Sequence, residues 1–163
     1  MDIASATNPD FLFSICSGLA MLGWLALAVS PHGAAWAPVA RKVAGQAIPL
    51  VLALVYVWLF AAKGMGDGGY DSLAAVRRLF AVPELLLAGW VHYLAFDLFV
   101  GAWIADRAGE LRLPHLLVLP LLALTFMFGP AGLLAFALVI AVAWALAGGG
   151  DPSQGFDLAA IAG

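Results

Sequence analysis

Charged residues and cysteines are scarce in this sequence. Only 10 % of its 163 residues are charged, and it contains one cysteine, Cys16. A single cysteine excludes an internal disulfide and any CxxC motif for metal or redox chemistry. The net charge of −3 argues against nucleic acid as a partner, because nucleic-acid binding needs a basic surface.

Apolar residues take the place of the missing charge. They make up 64 % of the chain, and the mean hydropathy is +1.02, whereas soluble domains are about 45–50 % apolar. Long uncharged runs therefore predict an all-α, polytopic protein embedded in the lipid bilayer. The N-terminus lacks the basic segment of a cleaved signal peptide, so we expect the first apolar run to remain as a membrane span.

Prolines, glycines and charges divide the apolar runs into membrane spans. The first span is expected at about residues 10–29, with Asn8 as its N-cap. The second is expected at about 46–62, but it is short for a bilayer and should begin nearer residue 39, which puts Pro49 in an early turn where it can kink the helix. The third covers residues 83–104.

The last apolar run, residues 113–148, is too long for one straight span. As a single helix it would measure roughly 50 Å, against a hydrocarbon core of about 30 Å. Gly129-Pro130 divides the run in two. We expect a bundle of about four transmembrane helices whose long last helix is kinked at Pro130, and a bundle of five spans is the alternative.

The whole of residues 1–150 is expected to form a single transmembrane helical domain, followed by a polar C-terminal tail at 151–163. Between the second and third spans, Ser72 resembles a helix cap, and apolar residues follow it at helical spacing with Arg77 and Arg78 on the other side. This pattern predicts a short amphipathic helix at about 72–81 that lies on the membrane surface. A capped connector between spans is the alternative.

The third span contains three ionisable residues, Glu84, His92 and Asp97. Such groups are costly at membrane depth, so each is a functional hypothesis. Glu84 stands near the helix start, where the dipole favours a carboxylate, and is expected to be an end charge. His92 and Asp97 lie near the middle, where burial favours their neutral forms, so Asp97 could donate a proton and His92 could accept one.

The spacing of the deep pair limits how the two groups can act together. His92 and Asp97 are five residues apart, so they do not share a helix face and each should point towards a different neighbouring helix. A structural role for Asp97 stays open: it could pair with Arg107, or accept hydrogen bonds from hydroxyl groups at Ser14, Ser17 or Thr125. The three histidines show no HxxxH or ExxH spacing, so no metal site is predicted, although one histidine would be enough for haem.

Aromatic residues crowd the third span and the segment around Gly129-Pro130. Ordinary packing is the usual explanation, and a pocket for a flat, lipophilic ligand is the alternative. On the second interpretation, the predicted ligand-binding residues are Trp90, Tyr93, Phe96, Thr125, Phe128, Gly129 and Pro130, with Glu84, Arg107 and His115 in supporting positions.

Two motifs carry a resemblance to a known family. WVHYLAFDLFVGAW at 90–103 and TFMFGPAGLL at 125–134, with His115 and Pro120 ahead of it, resemble the abscisic-acid-deficient-four-like family. Its plant members are neoxanthin synthases, which convert violaxanthin, a carotenoid 5,6-epoxide, to the allenic xanthophyll neoxanthin. The resemblance implies a membrane protein of carotenoid metabolism with a carotenoid-like ligand. It also implies cofactor-independent acid–base isomerisation, with Asp97 as acid and His92 as base.

The alanine-rich, leucine-rich composition and the lack of a plastid transit peptide suggest a bacterial member in the inner membrane. Two other functions stay open. The chain could bind pigment without turnover, as an accessory subunit of a membrane complex or as a homo-oligomer. It could instead be a small proton-coupled transporter with Asp97 as the carrier, although no inverted repeat is visible.

Overall fold

The computed structural model describes residues 8–146. In this range its helices are α1 (Pro9–Ala28), α2 (Ala37–Lys63), α3 (Leu73–Phe80), α4 (Pro83–Glu110), α5 (His115–Phe128) and α6 (Pro130–Leu146). Helices α1, α2 and α4 are long and apolar enough to cross a membrane, and α5 and α6 are apolar but shorter. These features confirm the predicted all-α membrane bundle. The predicted polar tail at 151–163 lies outside the described residues.

Helix α4 is the central element, and it packs against α1, α2 and α5. Small residues let the neighbouring helices approach it closely. A Cβ at Gly101 would lie 2.5 Å from the Trp24 ring of α1, and one at Gly45 would lie 2.5 Å from Ala102. Helix α1 begins as predicted, because the Asn8 side chain accepts a hydrogen bond from the Asp10 N–H at 2.9 Å.

Helix α2 begins at Ala37, close to the predicted start near residue 39. Pro49 lies inside this helix, where its ring would clash with the carbonyl of Gly45 in a regular α-helix and where it has no N–H to donate. A π-helical turn at Val43–Ala47 ends two residues before Pro49 and widens the helix at this point. The proline is therefore accommodated by a π-bulge, and α2 continues to Lys63.

The last apolar run forms a hairpin, in contrast to the single kinked helix predicted for it. Gly129 ends α5 with a φ of +31°, in the left-handed region that favours glycine. Beyond it, α6 folds back against α5, so that Leu121 of α5 and Leu138 of α6 line one groove. Near the turn a Cβ at Gly132 would lie 2.5 Å from the Cα atom of Thr125. The chain therefore reverses at Gly129, because a positive φ cannot continue the α-helix.

The hairpin turns beside the midpoint of α4. Helix α5 has 14 residues and measures about 21 Å at about 1.5 Å per residue. Its first residue, His115, donates from Nε2 to the carbonyl of Ala28 at the end of α1, at 2.8 Å. On the return, Phe136 of α6 packs edge-on against Trp103 of α4 with ring centroids 5.6 Å apart. The hairpin thus enters from the C-terminal end of α4, turns halfway along it and comes back.

The short helix α3 has the cap that its sequence predicts, because the Ser72 hydroxyl accepts a hydrogen bond from the Ala75 N–H at 3.1 Å. Ala75 and Leu79 are buried, whereas Arg77 and Arg78 are exposed. The helix packs against α4. Its position at the membrane surface stays a prediction.

Candidate functional site

Asp97 lies at the middle of α4 and faces the tip of the hairpin. A Cβ at Gly129 would lie 2.5 Å from Oδ1 and 2.8 Å from Oδ2 of Asp97. The carboxyl group therefore rests directly against the backbone of the turn, in space that only a glycine leaves open. Gly129 also has a positive φ. The chain reversal and the space for the Asp97 carboxyl group therefore depend on the same residue.

The Asp97 carboxyl group is incompletely satisfied. Its Oδ2 atom is buried and has no hydrogen-bond partner among residues 8–146. The hydroxyl of Tyr93, one turn earlier on α4, lies within reach of this carboxyl and donates to the carbonyl of Phe126 at 3.2 Å. A buried polar atom without a partner costs stability. Such an atom at the wall of a cavity is free to interact with a ligand.

The cavity beside Asp97 has a volume of about 240 Å³ and lies between α1, α4 and the hairpin. Its walls are mainly aromatic and apolar: they comprise Ser17, Ala20, Met21, Trp24, Trp90, Tyr93, Leu94, Asp97, Phe126 and Met127. Trp24 and Phe126 meet edge to face with ring centroids 5.5 Å apart. A single carboxyl group and a few other polar groups in a mainly apolar, aromatic cavity are the composition typical of a site for a lipophilic ligand.

The structural partners that the sequence suggested for Asp97 are engaged elsewhere. Arg107 forms an ion pair with a glutamate in its own last turn. The Thr125 hydroxyl donates to the carbonyl of Leu121 at 2.8 Å, and the Ser17 hydroxyl accepts from the Trp90 indole at 3.0 Å. The Ser14 hydroxyl likewise donates to the carbonyl of Asp10 at 3.0 Å. None of these four suggested partners is hydrogen-bonded to Asp97 among the described residues, and a structural role for the carboxyl stays a prediction.

His92 lies on a different side of α4. Its exposed ring stacks on Phe96, with centroids 4.5 Å apart, and lies 5.7 Å from the ring of Tyr56 in α2. It is absent from the walls of the Asp97 cavity. The structure therefore directs His92 and Asp97 to different helices, as their spacing of five predicts, and the catalytic roles of both stay predictions.

The predicted ligand-binding residues are divided between several environments. Trp90 and Tyr93 line the Asp97 cavity, and the backbone of Gly129 packs against the Asp97 carboxyl group. Phe96 instead lines a groove of about 370 Å³ between α2 and α4. The remaining three lie outside the cavity: Thr125 is buried beneath the hairpin turn, and Phe128 and Pro130 are exposed.

The supporting residues stabilise the ends of the bundle. Glu84 pairs with Lys63 at 2.5 Å, which fits the predicted end charge. His115 attaches the start of the hairpin to α1 through the Ala28 carbonyl. On the same side of the bundle, His32 donates from Nε2 to the carbonyl of Ala105 at 2.5 Å.

Sequence reasoning missed Ser17, Trp24 and Phe126 as cavity residues. Ser17 was predicted only as a possible hydrogen-bond donor to Asp97, and Phe126 belonged only to the aromatic residues around the helix break. Trp24 carried a usable signal, because tryptophans in membrane helices concentrate at the interfaces and this one lies well inside the first apolar run. The three residues meet only because the hairpin brings α5 against α1, which no local pattern reveals.

The fold and the cavity define a helical membrane protein with an intramembrane carboxyl group facing an aromatic pocket. The family model described as ABA4-like (ABA DEFICIENT 4-like) matches residues 11–136. The chain belongs to this family, and the match includes Asp97, the cavity and the hairpin turn. Comparison with curated proteins and with solved structures gave no match. Family membership associates this membrane protein with carotenoids or xanthophylls.

Proposed function

We propose that this protein is a cofactor-independent isomerase that acts on the ring end group of a carotenoid-like lipid. One observation carries the proposal: the Asp97 carboxyl, at the middle of a membrane helix, has a buried oxygen without a partner at the wall of an aromatic cavity. Membership of the ABA4-like family supports the class of ligand.

The proposed reaction is of the epoxide-to-allene type. The epoxide oxygen takes a proton as its bond to the ring carbon next to the polyene breaks, and it becomes a hydroxyl. The adjacent polyene carbon loses a proton, and the electrons of that C–H bond form the second double bond of the allene. Substrate and product are isomers, so atoms and electrons balance without an oxidant or a reductant.

The proposal assigns both proton transfers to Asp97. In its neutral form, one oxygen donates a proton to the epoxide while the other accepts the proton from carbon, so the carboxyl is regenerated. His92, the base predicted from the sequence, is 5.7 Å from Tyr56 on the other side of α4, and it would need a separate path to the same ligand. Tyr93 supports the geometry, since its hydroxyl lies beside Asp97.

The test is expression in a host that produces 5,6-epoxy carotenoids, followed by chromatography and mass spectrometry of the extracted pigments. The proposal predicts a new pigment of unchanged mass that an empty vector does not produce. A pigment that copurifies with the protein but is chemically unchanged would contradict catalysis and favour the pigment-binding subunit.

A second function is favoured by one observation. The hairpin breaks the last helical run beside Asp97 at the middle of α4, and helices broken near the bilayer midplane form the ion sites of many ion-coupled transporters. Proton flux into proteoliposomes that depends on Asp97, without any pigment conversion, would support this function over the isomerase.

The proposal also locates the protein in a bacterial inner membrane. Its support is the alanine-rich and leucine-rich composition of the chain. Immunodetection in separated membrane fractions of the source organism tests it, and recovery in a plastid membrane would contradict it.

A further inference from the structure

The Asp97 cavity borders a second cavity on one side. This second space, of about 340 Å³, lies between α1 and α5 and shares Met21, Trp24 and Phe126 with the first. It runs from there towards Ala28, the last residue of α1. We call it the apolar arm. Along α1, the distance from Ser17 to Ala28 is about 17 Å at about 1.5 Å per residue, roughly half the hydrocarbon thickness.

Trp90 lines the other side of the Asp97 cavity. Its indole donates to the Ser17 hydroxyl of α1 at 3.0 Å, and its ring lies against Phe13 with centroids 5.5 Å apart. Trp90 also borders a separate cavity near Pro83 at the start of α4. The hydrogen-bonded indole of Trp90 therefore lies between the Asp97 cavity and the cavity near Pro83.

We propose that the apolar arm holds the chain of an elongated lipid whose ring end group reaches Asp97, and that Trp90, fixed by Ser17, is the stop that sets how far the ring enters. This inference rests on the proposed function for its class of ligand. The arm suits a hydrocarbon chain, because its walls are almost entirely apolar.

The surroundings of the arm also explain how such a ligand arrives. Met21 and Leu25 border it and are 44 % and 53 % exposed, so in a bilayer this side of the arm faces lipid. A long molecule can enter sideways from the hydrocarbon, with its ring leading. Its far end continues into the surrounding lipid, and only the ring and the adjoining chain need to fit the protein.

Two probes of different length separate the roles of arm and stop. Violaxanthin carries both the end group and the long chain, whereas tritiated 5,6-epoxy-β-ionone carries the end group with a short tail. Ala123→Trp fills the arm, since Ala123 borders it. Ala53→Trp is the matched control, because Ala53 borders the lipid-facing groove between α2 and α4. Binding of both probes is measured on the full purified chain.

Ala123→Trp should weaken violaxanthin binding about tenfold and leave epoxy-ionone binding unchanged, while Ala53→Trp changes neither. Trp90→Ala should have the opposite selectivity, weakening epoxy-ionone about tenfold and violaxanthin much less, because the arm still anchors the chain. Ser17→Ala, which removes only the hydrogen bond, should shift epoxy-ionone binding in the same direction by about threefold.

Violaxanthin binding that survives Ala123→Trp, or that is lost in Ala53→Trp, would overturn the arm. Epoxy-ionone binding unaffected by both Trp90→Ala and Ser17→Ala would overturn the stop. The inference and the isomerase can fail separately: selective effects on binding without any conversion would leave the arm standing and contradict catalysis. A wild-type chain that binds neither probe contradicts both.

Discussion

The two sides of α4 offer a ligand very different surroundings. On one side Asp97 meets the hairpin turn and an aromatic cavity. On the other, His92 is exposed and stacks on Phe96 next to Tyr56. Both groups belong to the same apolar segment and lie at similar depth. The difference shows that the neighbouring helices, more than residue type or depth, decide which ionisable group faces a cavity.

The contrast between the two sides of α4 requires the tip of the α5–α6 hairpin to lie near the middle of the bilayer. In a Cys16→Ser background, we expect a membrane-impermeant maleimide to label Arg112→Cys from one side of sealed vesicles and to label Met127→Cys from neither. The difference should be all or none, because a residue beside the turn would be shielded by hydrocarbon. Labelling of Met127→Cys from the side opposite Arg112→Cys would show two full spans in place of the hairpin.

The next largest effect should come from Gly129→Ala. The added Cβ would stand where the Asp97 oxygens lie, 2.5 Å from Oδ1, at a backbone with positive φ. We expect pigment conversion to fall about a hundredfold per folded protein, because a displacement of about 1 Å in a reacting group can cost that much.

Gly132→Ala is the control for the hairpin itself, because its Cβ would meet Thr125 and not Asp97. It should lower thermal stability, with an unfolding free-energy cost of about 1–3 kcal/mol, and conversion by the folded fraction should stay close to wild type. Equal losses of conversion in the two variants would indicate that the hairpin matters only for folding.

A smaller effect is expected from Tyr93→Phe. This change removes the hydroxyl that lies beside Asp97 and donates to Phe126, so conversion should fall about three- to tenfold through a less fixed carboxyl. Tyr56→Phe removes a hydroxyl on the His92 side and should leave conversion unchanged. The measurement is the initial rate of pigment conversion by both variants. A loss confined to Tyr56→Phe would indicate that the site lies on the His92 side of α4.

The smallest effect should come from Lys63→Ala, which breaks the ion pair with Glu84 at the start of α4. The Lys63 side chain is 46 % exposed, and pairs of this kind contribute only about 0–1 kcal/mol. Thermal unfolding should shift slightly and less at high salt, with conversion unaffected. A large loss of conversion would show that Glu84 belongs to the site and is more than an end charge.

Much of the bundle could be predicted because its signals are local. The Asn8 and Ser72 caps, the start of α2 and the long central helix follow from short patterns of side-chain chemistry and apolar length. The turn at Gly129 could not be predicted in the same way. A Gly-Pro pair is compatible with a kink or a reversal, and the outcome depends on the close contact of Thr125 with Gly132.

The site was predictable in type but not in composition. The cost of a carboxyl at membrane depth identified Asp97, and helical geometry separated it from His92. The cavity walls from α1 and α5 depend on contacts far apart in the chain, so no local pattern assigned Ser17, Trp24 and Phe126 to a common cavity. Phe96 was predicted to bind the ligand because it is aromatic, but it lies on the side of α4 that faces α2, outside the Asp97 cavity.

The most direct test of the account is the ratio of initial conversion rates for Asp97→Asn and His92→Ala, prepared alike and corrected for folded protein. If the carboxyl beside the hairpin performs both proton transfers, Asp97→Asn should be slower than wild type by about a hundredfold or more. His92→Ala should remain within about threefold of wild type, as expected for a residue outside the site. A comparable loss in both variants, or a loss in His92→Ala alone, would contradict the account.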